Sequence, residues 1–419
     1  MKTIEILENA KRVKTEVALL STADKRRALE CMADGIDAHC ADILRANAED
    51  MRAARDKTSI VMLDRLALDA SRIKAMSDGL REISRLPDPV GKIMNEYVRE
   101  DGLKICKVAV PMGVVAVIYE SRPNVTADAA GLALMSGNAC ILRIGKEAYR
   151  SARVIVDAMR EGLKASGLSE HTIALVDDAS RASADELMRA VGYVDVLVPR
   201  GGKSLIDNCV MNAKVPCIQT GTGICHVYVD GAADMTKALD IIENAKCSRP
   251  SVCNAMEVCL VDNSIAQSFL PKLCERLASN GKTPVKLKLD ERAYAIIGET
   301  ENCSRAEKDD FDTEFLGYVA AVGVVDGVNG AIKHISAHST GHSDCIITED
   351  NTAADLFLRA VDSAAVYVNA STRFTDGGEF GLCGEIGIST QKLHARGPMG
   401  LNELCTYKYI VIGNGQIRK

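Results

Sequence analysis

Residues 104–118 read KICKVAVPMGVVAVI, a stretch rich in β-branched side chains that Pro111 and Gly113 interrupt. Side chains of this kind predict strands rather than helices. Further short apolar segments follow between stretches of helical periodicity, at 139–143, 172–176, 194–198 and 215–218. Strands that alternate with helices form βαβ units with right-handed crossovers, so this part of the chain is predicted to build a mostly parallel, doubly wound sheet.

A second series of the same kind begins with HVYVD at 226–230 and continues at 257–261, 318–325, 344–348 and 365–369. Two α/β sets in succession predict two domains that face each other across a cleft. The region before Pro87 is predicted to be helical, with an apolar stripe on one face. The tail CTYKYIVI at 405–412 predicts a strand that must pair at long range or with another subunit, because an unpaired edge promotes association.

The composition excludes several classes of protein. The 419 residues include 51 Lys and Arg against 57 Asp and Glu, and the net charge of −6 gives no general attraction to nucleic acid or anionic membranes. No apolar run reaches the roughly 18 residues of a membrane-spanning helix, and the N-terminus has no apolar signal-peptide core. These features predict a soluble, cytoplasmic protein.

Fifteen cysteines are the unusual feature of this composition. The odd number and wide scatter argue against a disulfide scaffold, so most are interpreted as small buried hydrophobes in a reducing compartment. Cys247, Cys253 and Cys259 are evenly spaced, but zinc sites favour shorter gaps and usually include His, so no metal site is predicted.

Two glycine motifs invite comparison with nucleotide-binding loops. RGGKS at 200–204 ends like a phosphate-binding loop, but the earlier glycine of that motif is replaced by Leu197. What remains is a glycine turn that either faces a phosphate with its N–H groups or is an ordinary tight turn. GTG at 221–223 has His226 in place of the third glycine of a dinucleotide fingerprint, so it is equally compatible with a loop between domains.

Cys253 lies in SRPSVCN at 248–254, just before a predicted strand. Pro250 and the polar residues indicate a loop, and a cation such as Arg249 favours the reactive thiolate. The alternative is one more buried cysteine.

Two other loops contain polar side chains suited to a binding site. ESRPNV at 120–125 follows a predicted strand, and α/β proteins bind ligands at the carboxyl ends of strands. Asn124 is suited either to donate to an oxyanion or to cap the next helix, and Arg122 is suited to meet an anion. GGEFGL at 377–382 is either a hinge or a wall of a substrate site.

Taken together and in this order, these segments resemble the aldehyde dehydrogenase superfamily. The stretches that carry the resemblance are VPMGVVAVIYESRPNVT at 110–126, SGNACILRIGKEA at 136–148, VPRGGKSLI at 198–206, SRPSVCN at 248–254, DGGEFGL at 376–382 and STQKLHARGPMGL at 389–401. The resemblance implies an α/β aldehyde dehydrogenase-like fold in which Cys253 is the catalytic thiol and Asn124 is the oxyanion-hole side chain.

The resemblance also implies how the chain is divided. It predicts a cofactor-binding domain over 1–225, to which 388–402 return, and a catalytic domain over 226–387 that carries the nucleophile. A hairpin arm at 96–111 and a strand at 403–419 form an oligomerisation element, and the strand is expected to pair with a partner subunit. A homo-oligomer, a dimer or larger, is therefore expected.

One departure from the superfamily pattern bears on the reaction. Hydrolytic members have Glu-Leu-Gly-Gly before the second domain, and that Glu activates the water that releases the acid. Residues 218–223 read IQTGTG, without a carboxylate. Because such a base would waste a thioester meant for exchange with phosphate, we expect acyl-phosphate chemistry. The resemblance implies NADPH-dependent reduction of L-γ-glutamyl 5-phosphate to L-glutamate 5-semialdehyde and phosphate, in L-proline biosynthesis.

A second departure concerns the cofactor. NAD-preferring members have a Glu three residues after a lysine of the cofactor strand, and it contacts the adenosine ribose. The corresponding run here is RIGK at 143–146, which ends in a cation. Arg143 and Lys146 are therefore expected to accept a 2′-phosphate, which predicts NADPH/NADP+; the alternative for Lys146 is an ordinary solvated lysine. Gly201 and Gly202 are further candidates for cofactor binding.

The remaining candidates concern the substrate. Arg122 and Arg249 are candidates for substrate binding through a phosphate group. Glu379 is expected to meet the α-ammonium group of the substrate, and Phe380 lies in the same loop as Glu379. The residues alone do not divide the two arginines and the Gly201-Gly202 turn between substrate and cofactor phosphates. Because the acyl phosphate is labile, transient contact with glutamate 5-kinase is a further expectation.

Two alternatives stay open. One is an acylating superfamily member that uses coenzyme A, which dependence on phosphate or coenzyme A in the reverse assay distinguishes. The other is a catalytically silent relative that keeps the fold as a binding or structural protein. The presence of Cys253 and Asn124 within their flanking motifs argues against the silent relative.

Overall fold

The computed structural model describes residues 2–58, 60–281 and 283–418. Its helices are α1 (Thr3–Ala18), α2 (Thr22–Ala38), α3 (Cys40–Ala54), α4 (Ile60–Leu66), α5 (Ala70–Arg85), α6 (Val125–Met135), α7 (Tyr149–Ala165), α8 (Arg181–Met188), α9 (Lys203–Asn212), α10 (Met235–Cys247), α11 (Ala266–Leu277), α12 (Glu291–Ile297), α13 (Gly327–His338) and α14 (Asn351–Ala360). None of these described helices is long and apolar enough to cross a membrane.

The strands are β1 (Ile93–Val98), β2 (Lys104–Pro111), β3 (Val114–Tyr119), β4 (Ala139–Ile144), β5 (Ile173–Leu175), β6 (Val196–Arg200), β7 (Cys225–Val229), β8 (Met256–Asp262), β9 (Lys286–Leu289), β10 (Cys303–Arg305), β11 (Val319–Val325), β12 (Ser343–Ile347), β13 (Ala365–Val368), β14 (Ile388–Ser389), β15 (Gly397–Pro398) and β16 (Cys405–Ile412). Short 3₁₀ turns occur at Lys146–Ala148, Glu170–Thr172, Asp310–Asp312, Thr372–Phe374 and Asn402–Leu404.

The first of two compact units comprises Met1–Thr220, Gly381–Gly387 and Met399–Lys419. Its parallel sheet has the strand order β5-β4-β3-β6. β3 and β4 are buried at every residue, which is typical of parallel strands covered on both faces. The order reverses between β3 and β6, and open parallel sheets bind ligands beyond the carboxyl ends of their strands at such a point.

The helices before β1 confirm the predicted helical region. α2 packs against α5 and α7. Two glycines permit the approach to α7: a Cβ on Gly35 would lie 2.4 Å from the Ala158 carbonyl oxygen, and one on Gly162 would lie 2.4 Å from that of Cys31. Any larger residue at either position would force the two helices apart.

A separate antiparallel sheet in this unit has the order β1-β2-β16. β16 pairs with β2 from Cys405↔Pro111 to Ile412↔Lys104. The edge of β16 that faces β2 is satisfied within the chain along its length, because both strands have 8 residues. Pairing of β16 with a partner subunit, which the resemblance implies, therefore stays a prediction for its other edge. The opposite edge of β16 has no strand partner among the described residues.

The second unit comprises Gly221–Phe380 and Ile388–Pro398. The strands of its main sheet are all parallel, and the described part of that sheet has the order β10-β9-β11-β8-β7-β12-β13. The central strands β7 and β8 are buried at every residue, because their near-continuous apolar runs are covered on both faces. The predicted α/β class with parallel sheets is confirmed.

The two observed units differ from the two predicted domains in which C-terminal segments belong to the first of them. Residues 381–387 and 399–419 return, whereas 388–398 belong to the second unit. The physical reason is the local bonding of this segment: β14 pairs with β15, and Arg396 Nη1 lies 2.8 Å from Asp362 Oδ1 of the second unit.

Candidate active site

Cys253 lies on the loop that joins α10 to β8 in the second unit. α10 ends at Cys247, and Ser248 is its C-cap. The Ala255 N–H donates to the Val252 carbonyl at 3.1 Å, so Cys253 occupies a tight turn just before the buried strand begins. The Cys253 side chain is half-buried, which confirms that the thiol is on a loop rather than in the core.

Gly223 passes so close to this loop that no side chain fits. A Cβ on Gly223 would lie 1.5 Å from the Cys253 carbonyl oxygen. The Gly223 N–H donates to Glu314 Oε1 at 2.9 Å. Close backbone approach therefore accounts for the second glycine of the GTG motif. Glu314 was missed from the sequence, because it lies 91 residues further along the chain and no local signal marks it.

Asn254, the residue after Cys253, anchors the loop to a distant segment. Its side chain is 3 % exposed, and Nδ2 donates to the carbonyl oxygens of Arg373 at 3.2 Å and Thr375 at 2.9 Å. The Asn254 carbonyl accepts from Thr372 Oγ1 at 2.7 Å, and its Oδ1 accepts from Arg373 Nη1. Residues 372–375 thus fix one side of the loop that carries Cys253.

A buried ion pair closes the base of the same loop. Lys246 is in the last turn of α10 and Glu257 is the second residue of β8, and both side chains are 0 % exposed. Lys246 Nζ lies 2.5 Å from Glu257 Oε2, and Glu257 Oε1 accepts from the Leu316 N–H at 3.2 Å. Burial raises the pKa of Glu257 to about 7, although the charge of Lys246 opposes the shift.

The cysteines near Cys253 lie in different environments. Cys225 and Cys259 are buried; burial raises the pKa of the Cys259 thiol to about 12 and that of Cys225 well above its usual value. Burial also raises the pKa of half-buried Cys247. A protonated, buried thiol is a poor nucleophile, so these three are interpreted as structural. Over residues 2–58, 60–281 and 283–418, no group of three or more His, Cys, Asp or Glu side chains fits a metal ion.

Asn124 begins α6 in the first unit, on the loop after β3. It is the N-cap residue, but its side chain makes no capping hydrogen bond. Its Nδ2 instead donates to Asp128 Oδ2 at 3.3 Å, and the amide is exposed. Burial raises the pKa of Asp128 to about 6, and the hydrogen bond from Asn124 opposes the shift. An exposed amide suits a donor to a ligand better than a cap.

The predicted cofactor residues lie at the carboxyl ends of β4 and β6. Lys146 is exposed in the 3₁₀ turn after β4. Arg143 is 7 % exposed, and its Nη2 donates to the carbonyl oxygens of Ala179 at 2.8 Å and Ser180 at 2.7 Å. The Arg143 guanidinium therefore supports the loop before α8, which leaves Lys146 as the accessible cation of the pair.

A carboxylate occupies the glycine turn before α9. Glu120 follows β3, and its Oε2 accepts from the Gly202 N–H at 3.0 Å. A Cβ on Gly201 would lie 2.4 Å from the same oxygen. The turn therefore holds a negative charge at a helix N-terminus, where the macrodipole favours one, and the Gly202 N–H is already used. No local sequence signal marks this role of Glu120, because its partner is 82 residues away along the chain.

The predicted substrate residues are divided between the units. Arg122 belongs to the first unit, together with Asn124 and the cofactor candidates, whereas Arg249, Glu379 and Phe380 belong to the second, with Cys253. Arg249 and Glu379 are exposed, and Phe380 is 46 % exposed in a turn closed by its N–H donating to the Asp376 carbonyl at 2.9 Å.

Comparison with known proteins defines the class. The profile of the aldehyde dehydrogenase family matches residues 2–291. The chain therefore belongs to the aldehyde dehydrogenase family and is an oxidoreductase, and this family uses nicotinamide cofactors.

Within the family, the chain is similar to several γ-glutamyl phosphate reductases. That of Streptococcus suis is 57% identical over 405 residues, 97% of each chain, and that of Streptococcus gordonii is 57% identical over 422 residues, 100% of this chain and 99% of that one. The solved structure of γ-glutamyl phosphate reductase from Thermotoga maritima is 42% identical with a TM-score of 0.96, and 100% of both chains is covered. The resemblance found in the sequence motifs is confirmed.

A more distant structure shares the fold alone. An acetylating aldehyde dehydrogenase from Geobacillus thermoglucosidasius superposes with a TM-score of 0.70 at 19% identity, covering 100% of this chain and 97% of that one. At that identity, the likeness extends to the fold and not to the reaction or the substrate.

Proposed function

We propose that this enzyme reduces L-γ-glutamyl 5-phosphate to L-glutamate 5-semialdehyde and phosphate with NADPH, through a thioester on Cys253, as a step of L-proline biosynthesis. The observation that carries the proposal is the fixed loop at Cys253: Asn254 bonds one side of it, Lys246 and Glu257 close its base, and the thiol itself is half-buried. The named relatives, similar along the whole chain, support the substrate.

In the first step, the Cys253 thiolate attacks the acyl carbon. A carbon–sulfur bond forms, the bond from carbon to the phosphate oxygen breaks, and phosphate leaves with the electron pair. No proton is required for this departure, because phosphate is a good leaving group. Asn124 is proposed to donate its amide N–H to the oxyanion of the tetrahedral intermediate.

Bound NADPH supplies the hydride that reduces the thioester to the level of the aldehyde. The Asn124 amide again stabilises the negative oxygen that forms, and Cys253 leaves as a thiolate when the semialdehyde is released. Retaining the thioester until then requires that water not be activated, and residues 218–223 provide no carboxylate to do so.

The residues at the carboxyl ends of β4 and β6 are suited to bind a dinucleotide cofactor. Exposed Lys146 at the end of β4 is proposed to bind the 2′-phosphate, which would make NADPH the preferred cofactor. Arg143 supports the neighbouring loop through its two carbonyl contacts. Gly201 and Gly202, at the carboxyl end of β6, remain candidates for cofactor binding. Their turn can bind a cofactor phosphate only if that phosphate displaces the Glu120 carboxylate from the Gly202 N–H.

We further propose a homo-oligomer that uses the exposed edge of β16, and a cytoplasmic location that suits fifteen free thiols. Transient contact with glutamate 5-kinase stays a prediction.

The direct test compares Cys253→Ser with Cys247→Ser, which removes a half-buried thiol just outside the loop. Both are assayed in reverse with semialdehyde, phosphate and NADP+, and with coenzyme A in place of phosphate. We expect loss of turnover in Cys253→Ser, near wild-type turnover in Cys247→Ser, and dependence on phosphate. Near wild-type turnover of Cys253→Ser contradicts the covalent mechanism, and dependence on coenzyme A contradicts the substrate.

A further inference from the structure

Arg373 is a cation beside the nucleophile loop that the mechanism above does not use. It lies in the 3₁₀ turn Thr372–Phe374 of the second unit. Its Nη1 donates to Asn254 Oδ1, and its Nε donates to Ser248 Oγ at 3.2 Å. Because Ser248 and Asn254 are on either side of Cys253, these two hydrogen bonds hold the guanidinium along the loop that carries the thiol.

Arg373 lies near a second cation, Arg249, and near the carboxylate of Asp376. Burial, and to a smaller extent the positive charge of Arg249, lower the pKa of Arg373; Asp376 and Cys253 oppose the shift. Within the described part of the chain, neither arginine forms an ion pair with a carboxylate. Two cations near each other, one of them half-buried, repel; Asp376 offsets part of this repulsion, and a bound anion between the two guanidinium groups would offset more of it.

The guanidinium also keeps donors for a ligand. Nε and Nη1 are used by the loop, whereas Nη2 makes no hydrogen bond to any residue that the structure describes. A guanidinium fixed on one side presents its remaining N–H groups in a defined plane, which suits the oxygens of a phosphoryl group.

We propose that Arg373, assisted by Arg249, binds the phosphoryl group of the acyl phosphate and stabilises the phosphate as it leaves. As the bond from carbon to oxygen breaks, negative charge grows on the phosphate oxygens, and a fixed cation stabilises that charge without reorganisation. The inference rests on the proposed function. The inference also assigns Arg249 to the phosphate of the substrate, a choice that the sequence left open. Arg249 and Arg373 belong to the unit that carries Cys253, whereas Arg122 belongs to the other.

The first test measures binding without turnover. Alkylation of Cys253 by iodoacetamide is followed by peptide mass spectrometry at increasing concentrations of inorganic phosphate, in the full chain. We expect phosphate to slow alkylation in the wild-type protein and in Arg292→Gln, a control on the surface of the same unit that pairs with Asp326. In Arg373→Gln, the phosphate concentration that halves the rate of alkylation is expected to rise by about 30-fold. In Arg373→Lys it is expected to rise by less, since lysine keeps the positive charge but not the planar N–H donors of the guanidinium.

The second test uses the reverse reaction. In Arg373→Gln the KM for phosphate is expected to rise by about 30-fold while the KM for semialdehyde stays within about twofold. A role that only supports the loop would change both together. Arg249 is exposed, so Arg249→Gln keeps the test valid even where Arg373→Gln does not fold; it is expected to raise the KM for phosphate by a smaller factor.

The outcomes separate this inference from the proposed function. Unchanged protection by phosphate in Arg373→Gln, no protection in the wild-type protein, or equal rises in both KM values overturns the role of Arg373, even if Cys253→Ser is inactive. Conversely, weakened protection in Arg373→Gln supports the anion site, even if Cys253→Ser still turns over and the thioester mechanism fails.

Discussion

Replacing Lys246 by Met tests whether the buried ion pair stabilises the unit that carries the Cys253 loop. The change keeps most of the side-chain volume but leaves Glu257 with the Leu316 N–H as its remaining described partner, at 3.2 Å. Both side chains of the pair are 0 % exposed and their atoms lie 2.5 Å apart, so the charge that remains is fully removed from water. Removing one partner of such a pair costs about 3–5 kcal/mol of the free energy of unfolding.

The loss of unfolding free energy in Lys246→Met is expected to depend on pH. The pKa of Glu257 is already raised to about 7 with Lys246 present, above the roughly 4.3 of an unfolded Glu. Loss of Lys246 raises it further. A carboxyl whose folded pKa is raised contributes stability at low pH and loses it as pH rises through the folded pKa. The deficit of Lys246→Met relative to wild type should therefore be larger at pH 8 than at pH 6, by about 1–2 kcal/mol.

Thermal unfolding followed by circular dichroism at both pH values measures this effect. At about 2–4 °C per kcal/mol, Lys246→Met should lower the Tm of the unit that contains it by about 10 °C. Lys237→Met is the matched control, because Lys237 is on the same helix and pairs with Glu349 in solvent; its Tm should change by about 1 °C. The double variant Lys246→Met/Glu257→Leu should recover most of the loss. A Tm of Lys246→Met within about 2 °C of the control would refute the reasoning.

Three further predictions concern other parts of the molecule. Lys146→Glu should raise the KM for NADPH by about tenfold or more and that for NADH much less, since only NADPH has a 2′-phosphate; an equal change removes Lys146 from that site. Tyr409→Asp on β16 should reduce the mass of the protein measured by light scattering after size-exclusion chromatography, whereas Leu393→Asp, at an exposed apolar site in the other unit, should not. Equal masses for the wild-type protein and both variants would count against the edge of β16 as an interface. Asp128→Asn should raise the free energy of unfolding at pH 8 by about 1–2 kcal/mol more than at pH 5, because ionisation of half-buried Asp128, whose pKa is about 6, destabilises the folded state. If the difference in free energy of unfolding between variant and wild type is the same at both pH values, the raised pKa of Asp128 is contradicted.

Much of the fold could be predicted because strands and helices depend on patterns of apolar residues that are close together in the sequence. A buried parallel strand must be a short apolar run, and β3, β4, β7 and β8 are such runs, with helical periodicity between them. The loop position of Cys253 was predictable for the same reason, since Pro250 and polar neighbours interrupt the pattern just before a strand.

The contacts around the loop that carries Cys253 could not be predicted in this way. Asn254 and Arg373 are 119 residues apart, and Glu120 reaches Gly202 over 82 residues. Neither pair leaves a periodic signal, because a side chain that bonds to a distant segment looks locally like any polar residue in a loop. GTG at 221–223 was ambiguous for the same reason, until the path of the chain placed Gly223 against Cys253.

By itself, therefore, the sequence determined the α/β class, the family and the position of Cys253 on a loop just before a strand, since each depends on residues that are neighbours along the chain. The tertiary structure alone decided that β16 pairs with β2, that Lys246 and Glu257 close the loop, and that Arg373 lies beside it. These contacts arise only when folding brings remote segments together, and burial then makes the free energy of each charge depend on the partner it meets.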